Sequence, residues 1–197
     1  MVCERGDTLR YAHFPTDSFV SLVSVIDGSP GVKVGMIGSE GVVGAQLALG
    51  IATAPLLGLV QGAGPAWRIK SVDLRRLLTK SESLRVALDR YLYVLMLQLA
   101  TSAACLRFHE IGPRLVRWLL MSQDRAHSDQ FQVTQEFLAY MLGVRRVGIT
   151  TAAGALQRQK LISYHRGEVT IVDRKGLEAA ACGSYADDSV ASSAVMR

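Results

Sequence analysis

Residues 133–151, VTQEFLAYMLGVRRVGITT, decide the fold of this chain. Thr134 can accept a hydrogen bond at the start of a helix, and the apolar residues after it give that helix one core-facing side. Gly143 ends the helix, because glycine adopts the positive φ of a tight turn without steric cost. A second helix begins at once with Arg145 and Arg146. This pattern predicts a helix-turn-helix whose second helix can enter the major groove of DNA.

The residues that follow predict a two-stranded wing. Residues 161–164 and 168–172 are strand-like and flank the basic tip His165-Arg166-Gly167. From Arg145 to Arg166 there are five basic residues and no acidic one, and residues 107–175 hold 11 basic and 6 acidic side chains, which accounts for the net charge of +5. Two such helices alone could form a plain αα-hairpin. The wing and the charge favour binding to a phosphate backbone.

The exposed positions of this unit are candidates for contacts with double-stranded DNA. An arginine can donate two hydrogen bonds to guanine O6 and N7, and a valine can contact a thymine methyl group. The wing tip is expected to contact phosphate. The predicted DNA-binding residues are Thr134, Gln135, Arg145, Arg146, Val147, Thr150, Thr151, Arg158 and Arg166.

A long helix is predicted from about Ser83 to Phe108, where apolar residues recur without Gly or Pro. It has apolar surface on more than one side, so one side can cover a sheet while another meets a second copy of the chain. A helix buried inside one monomer is the alternative, because periodicity does not separate the two. The predicted dimerisation residues are Leu88, Tyr91, Leu92, Leu95 and Leu99.

The first third of the chain predicts β structure. Residues 18–37 are rich in Val and Ile and are broken at 27–31, which indicates a β-hairpin. Glycines recur from Gly38 to Gly64, and the short runs 57–60 and 67–70 are typical of strands in a roll. Ser71 is the expected N-cap of a short helix. Gly112-Pro113 marks the expected hinge before a helix that ends near Ala126.

These elements predict an α+β fold: an N-terminal β-roll or jelly roll, a long dimerisation helix and a C-terminal winged helix-turn-helix. The expected domains are residues 1–80 for the β-roll, 81–109 for the dimerisation helix and 110–182 for the DNA-binding domain. Residues 183–197 are small and polar and are expected to be a disordered tail.

Composition argues against several other classes. The N-terminus has no export signal, and the apolar stretch 91–106 is too short to span a bilayer, so a cytoplasmic protein without membrane contact is expected. Cys3, Cys105 and Cys182 lie far apart and predict neither a disulfide framework nor a zinc site. His13 and His109 are isolated. We therefore expect no metal, no cofactor and no catalytic residues, and the chain lacks a phosphate loop or a spaced nucleophile and base.

Several runs resemble the Crp/Fnr family of bacterial transcription regulators, over residues 11–185. The runs that carry the resemblance are RLVRWLL at 114–120, VTQEFLA at 133–139, MLGVRR at 141–146, ALQ at 155–157, LISY at 161–164 and, upstream, HFPTDSFVS at 13–21. The resemblance implies a homodimer joined along the long helix and bound to a two-fold symmetric operator. It also implies a β-roll truncated at its start, because family members have several strands before the part that resembles residues 13–21. RNA polymerase and an unknown small-molecule effector are further candidate partners.

The chain also departs from that family. Members that bind cyclic AMP use a Gly-Glu pair and an Arg-Ser pair, whereas here Gly44 precedes Ala45, and Ala54-Pro55 stands where the Arg-Ser pair should fall. A cyclic nucleotide is therefore not the expected effector, and Cys3 alone does not provide an iron-sulfur cluster. Val147 and Thr151 replace an acid and an arginine on the DNA face, which predicts a different operator. A small-ligand sensor or protein-interaction module with degenerate DNA binding is the alternative function.

Overall fold

The computed structural model describes residues 1–27 and 31–195 and begins with a β-roll. Its strands are β1 (Tyr11–Pro15), β2 (Phe19–Ser24), β3 (Val32–Ile37), β4 (Leu57–Gly62) and β5 (Ala66–Lys70). One sheet has the order β3-β2-β4, and β1 pairs with β5 in a second sheet. Isolated bridges from Cys3 to Gly58, Thr8 to Thr53 and His13 to Val43 join further segments to the roll.

The predicted hairpin and short strands are confirmed. β2 and β3 pair antiparallel, from Val20 opposite Ile37 to Ser24 opposite Val32. Both strands are buried along most of their length, which explains their continuous rather than alternating apolar sequence. The predicted turn at 27–31 lies partly outside the described residues. A 3-10 helix, Ala45–Leu49, follows Gly44.

Two helices follow the roll, α1 (Ser71–Lys80) and α2 (Glu82–Phe108). Lys70, not Ser71, is the N-cap of α1, and Ser81 caps α2 by accepting a hydrogen bond from the Leu84 N–H at 3.3 Å. Leu88 and Tyr91, each 5% exposed, pack into the β-roll of the same chain. The prediction that these two residues form a dimer seam is therefore wrong, because their side chains already fill their own monomer's core.

α2 is long and apolar enough to cross a bilayer, which corrects the view that this stretch is too short. α2 meets this condition by its length and composition alone, and a core helix of a soluble protein can have the same length and composition. Its inner face carries the buried polar residues Gln98 and Ser102. Gln98 Oε1 accepts a hydrogen bond from the Met36 N–H at 2.7 Å, so this polar group belongs to the packing of α2 on β3.

The C-terminal half forms a winged helix. Its elements are α3 (Ile111–Ala126), β6 (Gln130–Gln132), α4 (Gln135–Leu142), α5 (Arg146–Arg158), β7 (Ile162–His165), β8 (Glu168–Ile171) and α6 (Arg174–Ala180). The wing sheet has three strands in the order β6-β8-β7, where the sequence predicts two. β6 escaped prediction because three residues are too few to show an alternating pattern. The α+β architecture itself is confirmed.

A continuous apolar core joins the β-roll to the winged helix. Phe19, Val23 and Met36 from the roll belong to the same buried cluster as Leu115, Trp118 and the inner faces of α4 and α5. Burial of this much apolar surface stabilises the observed arrangement of the two parts. The hinge expected at Gly112-Pro113 lies instead in the first turn of α3, because the break between α2 and α3 falls at His109 and Glu110.

Residues 183–195 form a helix, α7 (Gly183–Val195), that packs along α2. The prediction of a disordered tail is therefore wrong for these residues. A buried ion pair anchors the helix: the Arg117 Nε–H donates to Asp188 Oδ2 at 3.2 Å, and its side chain is 5% exposed. Arg117 also donates to the hydroxyl of Ser102 on α2. The contact joins residues 71 positions apart, so the small polar residues of the tail could not predict it from their own sequence.

Candidate nucleic-acid interface

α4 and α5 form the predicted helix-turn-helix. Thr134 caps α4, its hydroxyl accepting a hydrogen bond from the Phe137 N–H at 3.1 Å. Gly143 ends the helix with φ 62° and ψ 42°, a left-handed conformation that costs glycine little. The Val144 N–H then donates to the Ala139 carbonyl at 3.0 Å, and the Val144 side chain packs against the core. The turn therefore fixes the angle at which α5 leaves α4.

Apolar contacts hold α5 with its polar side outward. Ile149, Ala153 and Leu156 are buried. Gly148 allows a close approach to α3, because a Cβ at this position would lie 2.5 Å from Ile111 Cδ1. The opposite side of α5 is exposed from its first turn, and the Val147 side chain is 68% exposed. An exposed apolar side chain between basic residues suits contact with a thymine methyl group.

The wing places a cation at its tip. β7 and β8 are joined by Arg166 and Gly167, which have φ values of 49° and 82°. Positive φ at both central residues defines a type I′ turn, whose twist matches that of the two strands. Arg166 accepts this strained conformation, and its side chain is exposed.

An open cleft lies between the start of α4, the start of α5 and the wing. It has a volume of about 330 Å³ and is lined by Thr134, Gln135, Arg146, Tyr164, Arg166 and Gly167. Thr150 extends this surface, because its hydroxyl donates to Gln135 Oε1 at 2.7 Å. Two arginines and the N-terminus of α4 thus face one concave surface, the arrangement that binds a phosphate group.

Four of the nine predicted DNA-binding residues, Thr134, Gln135, Arg146 and Arg166, line this cleft, and Thr150 is hydrogen-bonded to one of them. Thr134, Arg145, Arg146, Val147, Thr150, Thr151 and Arg166 are exposed, and Gln135 is half-buried. Arg158 is exposed but lies 12 residues beyond Arg146 on α5, about 18 Å further along the helix axis. Arg158 is therefore outside the cleft, where it can reach only a more distant part of a duplex.

Sequence reasoning missed Tyr164 as a member of the cleft. Its hydroxyl donates to the Val133 carbonyl at 2.7 Å, which ties the wing to the segment two residues before α4. Burial raises the pKa of Tyr164, while the nearby positive charge of Arg146 lowers it. Its position in an ordinary strand gave no sequence signal of this role.

The β-roll holds a second, very different cavity. It has a volume of about 80 Å³ and is lined mainly by apolar residues, with Gly44, Ala45, Gln46, Ala54 and Pro55 from the roll and Leu95 and Leu99 from α2. No Arg or Lys is among the described residues that line it. Small-molecule sites in proteins measure about 300 Å³ or more. The cavity thus offers an anionic ligand neither space nor charge.

α2 has an outer apolar seam made of residues other than the five predicted dimerisation residues. Val86, Tyr93, Met96, Ala100 and Ala103 are exposed in the monomer. Their spacing alternates between three, four and seven residues, which is the a/d pattern of a coiled coil. Of the predicted dimer residues, Leu92, Leu95 and Leu99 are half-buried, and Leu95 and Leu99 face the β-roll cavity.

Comparisons with known proteins agree with this geometry. Residues 113–180 match the family profile of the Crp-like helix-turn-helix domain. This chain has the fold of the Crp/Fnr regulators. The predicted resemblance to that family is thus confirmed, with a Crp-like helix-turn-helix domain following a β-roll and a long helix. A search of curated proteins found no match.

Three solved structures illustrate the Crp/Fnr fold. A CRP-family transcriptional regulator from Thermus thermophilus has a TM-score of 0.72 at 20% identity, over 90% of this chain and 91% of the other. A crp/fnr-family regulator from Eubacterium rectale has a TM-score of 0.70 at 15% identity, over 90% and 83%. The c-di-GMP responsive global regulator CLP of Xanthomonas campestris has a TM-score of 0.68 at 21% identity, over 86% and 88%. All three are described as regulators.

Proposed function

We propose that this protein is a sequence-specific transcription regulator that binds a two-fold symmetric operator as a homodimer in the bacterial cytoplasm. The exposed basic surface at the start of α5 carries the proposal. Arg145 and Arg146 point outward from a helix held rigidly by the turn at Gly143, and Arg166 flanks them from the wing. Base edges in the major groove and phosphates beside it are the groups that such a surface recognises. RNA polymerase is a candidate partner on the same DNA.

The seam on α2 supports the homodimer. Five apolar side chains at coiled-coil spacing stay exposed in one copy, and a second α2 would bury them. The small residues Ala100 and Ala103 would allow the two helices to approach closely. Two copies related by a two-fold axis would present two α5 helices to half-sites about 34 Å apart, one turn of B-DNA.

The dimer is tested by a Met96→Glu variant. Met96 is 58% exposed, so the monomer should fold normally while the seam receives an unpaired charge. Light scattering should show a dimer for the wild type and a monomer for Met96→Glu. Val72→Glu, which charges a similarly exposed apolar side chain on α1, should remain a dimer. A wild-type monomer at micromolar concentration would show the seam to be wrong.

We propose that this regulator does not take a cyclic nucleotide as its effector. The β-roll cavity lacks the cation and the volume that a cyclic phosphate needs. The alternative function, a sensor or interaction module with degenerate DNA binding, predicts that the winged helix has no preference among duplexes. Nothing about the exposed arginines of α5 favours that alternative.

Selection from a random duplex library tests the proposal. The wild-type dimer should enrich a motif of two inverted half-sites, and a scrambled duplex should bind at least about a thousandfold more weakly. The selection should be repeated at two salt concentrations, because a phosphate-only contact weakens every duplex equally as salt rises. Enrichment of no motif, with equal affinity for all duplexes, would favour the alternative.

A further inference from the structure

A cluster of two cysteines and one histidine lies at the C-terminal end of α2, away from the proposed DNA-binding surface. Cys105 is buried in the last turn of the helix, His109 is its C-cap, and Cys182 follows α6. One sulfur, Sγ of Cys105, lies 3.8 Å from the other, Sγ of Cys182. The two thiols and a nitrogen of His109 all lie within 4.8 Å of one another.

We propose that Cys105, His109 and Cys182 form a binding site for one zinc ion, contrary to the expectation from sequence spacing. Thiolate and imidazole are the ligands that Zn²⁺ prefers in proteins. With Zn–S bonds of about 2.3 Å, two thiolates at the corners of a tetrahedron lie about 3.8 Å apart. The observed separation of the two sulfurs matches that edge, so both thiols could bind one ion with little movement.

His109 would be the third of the four ligands of a tetrahedral zinc ion. Its Nδ1 atom is buried and has no hydrogen-bond partner among the described residues. A tetrahedral site needs a sulfur-to-nitrogen distance of about 3.6 Å, so the ring has to move by at most about 1.2 Å from the 4.8 Å limit. The backbone N–H of His109 donates a hydrogen bond to the Cys105 carbonyl at 3.1 Å, which holds the backbone of His109 beside the Cys105 thiol. A water molecule can occupy the fourth position.

The electrostatics require proton release when zinc binds. Burial, and then the adjacent Cys182, raise the pKa of the Cys105 thiol, while Arg117 and Arg114 oppose this shift. The Cys105 thiol is therefore protonated before the metal arrives. Each coordinating sulfur loses one proton to solvent, so one Zn²⁺ displaces two protons and leaves a site with no net charge on the metal and its two thiolates.

The site would connect distant parts of the chain. Cys105 and His109 end α2, whereas Cys182 lies between α6 of the winged helix and α7, 77 residues from Cys105. A bound ion would thus cross-link the helix that carries the proposed dimer seam to the end of the DNA-binding domain. The Arg117–Asp188 pair already holds α7 close to this point. A metal ion here would stabilise that junction.

Titration with cobalt(II) and zinc(II) tests the site in the full-length, reduced protein without DNA, so the result is independent of the proposed DNA binding. One Co²⁺ per chain should give thiolate-to-cobalt charge-transfer absorption and tetrahedral d–d bands, and Zn²⁺ should displace it. Zinc affinity should be about micromolar or tighter. Saturating zinc should raise the melting temperature by about 5 °C or more.

Variants locate the ligands. Cys105→Ser, Cys182→Ser and His109→Gln should each weaken zinc binding by about a hundredfold or more, since even loss of an outer-shell partner costs about 10–100-fold. Cys3→Ser and His127→Gln are matched controls and should bind like the wild type. Circular dichroism checks that each variant folds. The proposal is wrong if the folded ligand variants bind zinc like the controls, or if the wild type shows no thiolate-to-cobalt band.

Discussion

The cleft of the winged helix and the cavity of the β-roll differ most in whether they can bind a negatively charged group. The cleft beside α5 is about 330 Å³, open, and lined by Arg146 and Arg166. The cavity of the roll is about 80 Å³, bounded on one side by α2, and lined by no Arg or Lys among the described residues. One half of the chain thus has a surface that can bind phosphate, and the other half has a cavity without a cation among its described lining residues. This difference supports the proposal that the winged helix binds DNA and that the roll does not bind a cyclic nucleotide.

Loss of the two arginines at the start of α5 should have the largest effect on this contrast. Arg145→Ala with Arg146→Ala should weaken binding to the selected operator by about 2–6 kcal/mol, because each side chain contributes about 1–3 kcal/mol of base or phosphate contact. Anisotropy titration measures the loss. Both side chains are exposed, so the melting temperature should not change.

A charge-matched variant sharpens the comparison. Arg75→Ala with Arg76→Ala removes the same two charges from the exposed side of α1. It should weaken operator binding only slightly, through the long-range potential. Equal losses in the two double variants would mean that α5 acts through net charge alone and does not read sequence.

Cyclic nucleotides should fail to bind the roll. A cyclic phosphate must leave water, and the cavity supplies neither an arginine nor a hydroxyl at Ala54 and Pro55. The loss of two charge-assisted contacts weakens binding by about a hundredfold to a thousandfold, so calorimetry at micromolar cyclic AMP or cyclic GMP should give no heat. Arg68 is not a substitute donor, because it is exposed and lies over the Tyr11 ring at 4.8 Å. A micromolar dissociation constant for either cyclic nucleotide would show that the roll, like the winged helix, can bind a phosphate group.

The buried amine of Lys33 in the roll should destabilise the folded protein. Its Nζ lies 3.4 Å from Met121 Sδ. Burial lowers the pKa of Lys33 well below its ordinary value, and Arg117 and Arg125 lower it further, whereas Asp188 and Cys105 oppose the shift. Lys33→Met should therefore raise the free energy of unfolding at pH 7 by about 1–3 kcal/mol.

The pH dependence gives the sign for Lys33. In the unfolded chain the Lys33 amine keeps its proton up to a pH of about 10.4, whereas in the folded chain it loses the proton at a lower pH. Between these two pKa values the unfolded state binds more protons than the folded state. The wild-type free energy of unfolding should therefore rise toward alkaline pH relative to that of Lys33→Met. Denaturant titrations at about pH 7 and pH 9 measure the difference, with Lys80→Met as the exposed control. Parallel pH profiles for the wild type and Lys33→Met would contradict the assignment.

Arg166→Ala should have the smallest effect. One exposed arginine at the wing tip contributes a phosphate contact, so all duplexes should weaken about equally and the slope of log affinity against log salt should fall by about one unit. A loss confined to one base position would instead make the wing a reader of sequence.

The helix-turn-helix and the wing tip could be predicted from the sequence because their cap and turn residues act locally. The cap at Thr134, the turn at Gly143 and the tip at Arg166 each depend on a few neighbouring residues, and the structure places all three as predicted. The strands of the hairpin and the length of α2 were equally accessible. The short strand β6 was not, because it is defined by pairing with β8 and not by its own sequence.

Contacts between distant segments escaped prediction. α7 is held by Asp188 against Arg117, and Cys105 and Cys182 meet only because α7 returns to α2. The inner and outer faces of α2 were likewise confused, since both carry leucine or methionine and only the position of the β-roll distinguishes them. Such features depend on tertiary packing, which no periodicity along the chain encodes.

Footprinting on genomic DNA, including the protein's own promoter, tests the central claim most directly. The wild-type protein should protect discrete sites made of two inverted half-sites about one helical turn apart, and the Arg145→Ala, Arg146→Ala variant should protect none of them at the same concentration. Adding cell extract should change occupancy if an effector is present. Uniform protection without preferred sites, or identical footprints from the wild type and the variant, would contradict the account.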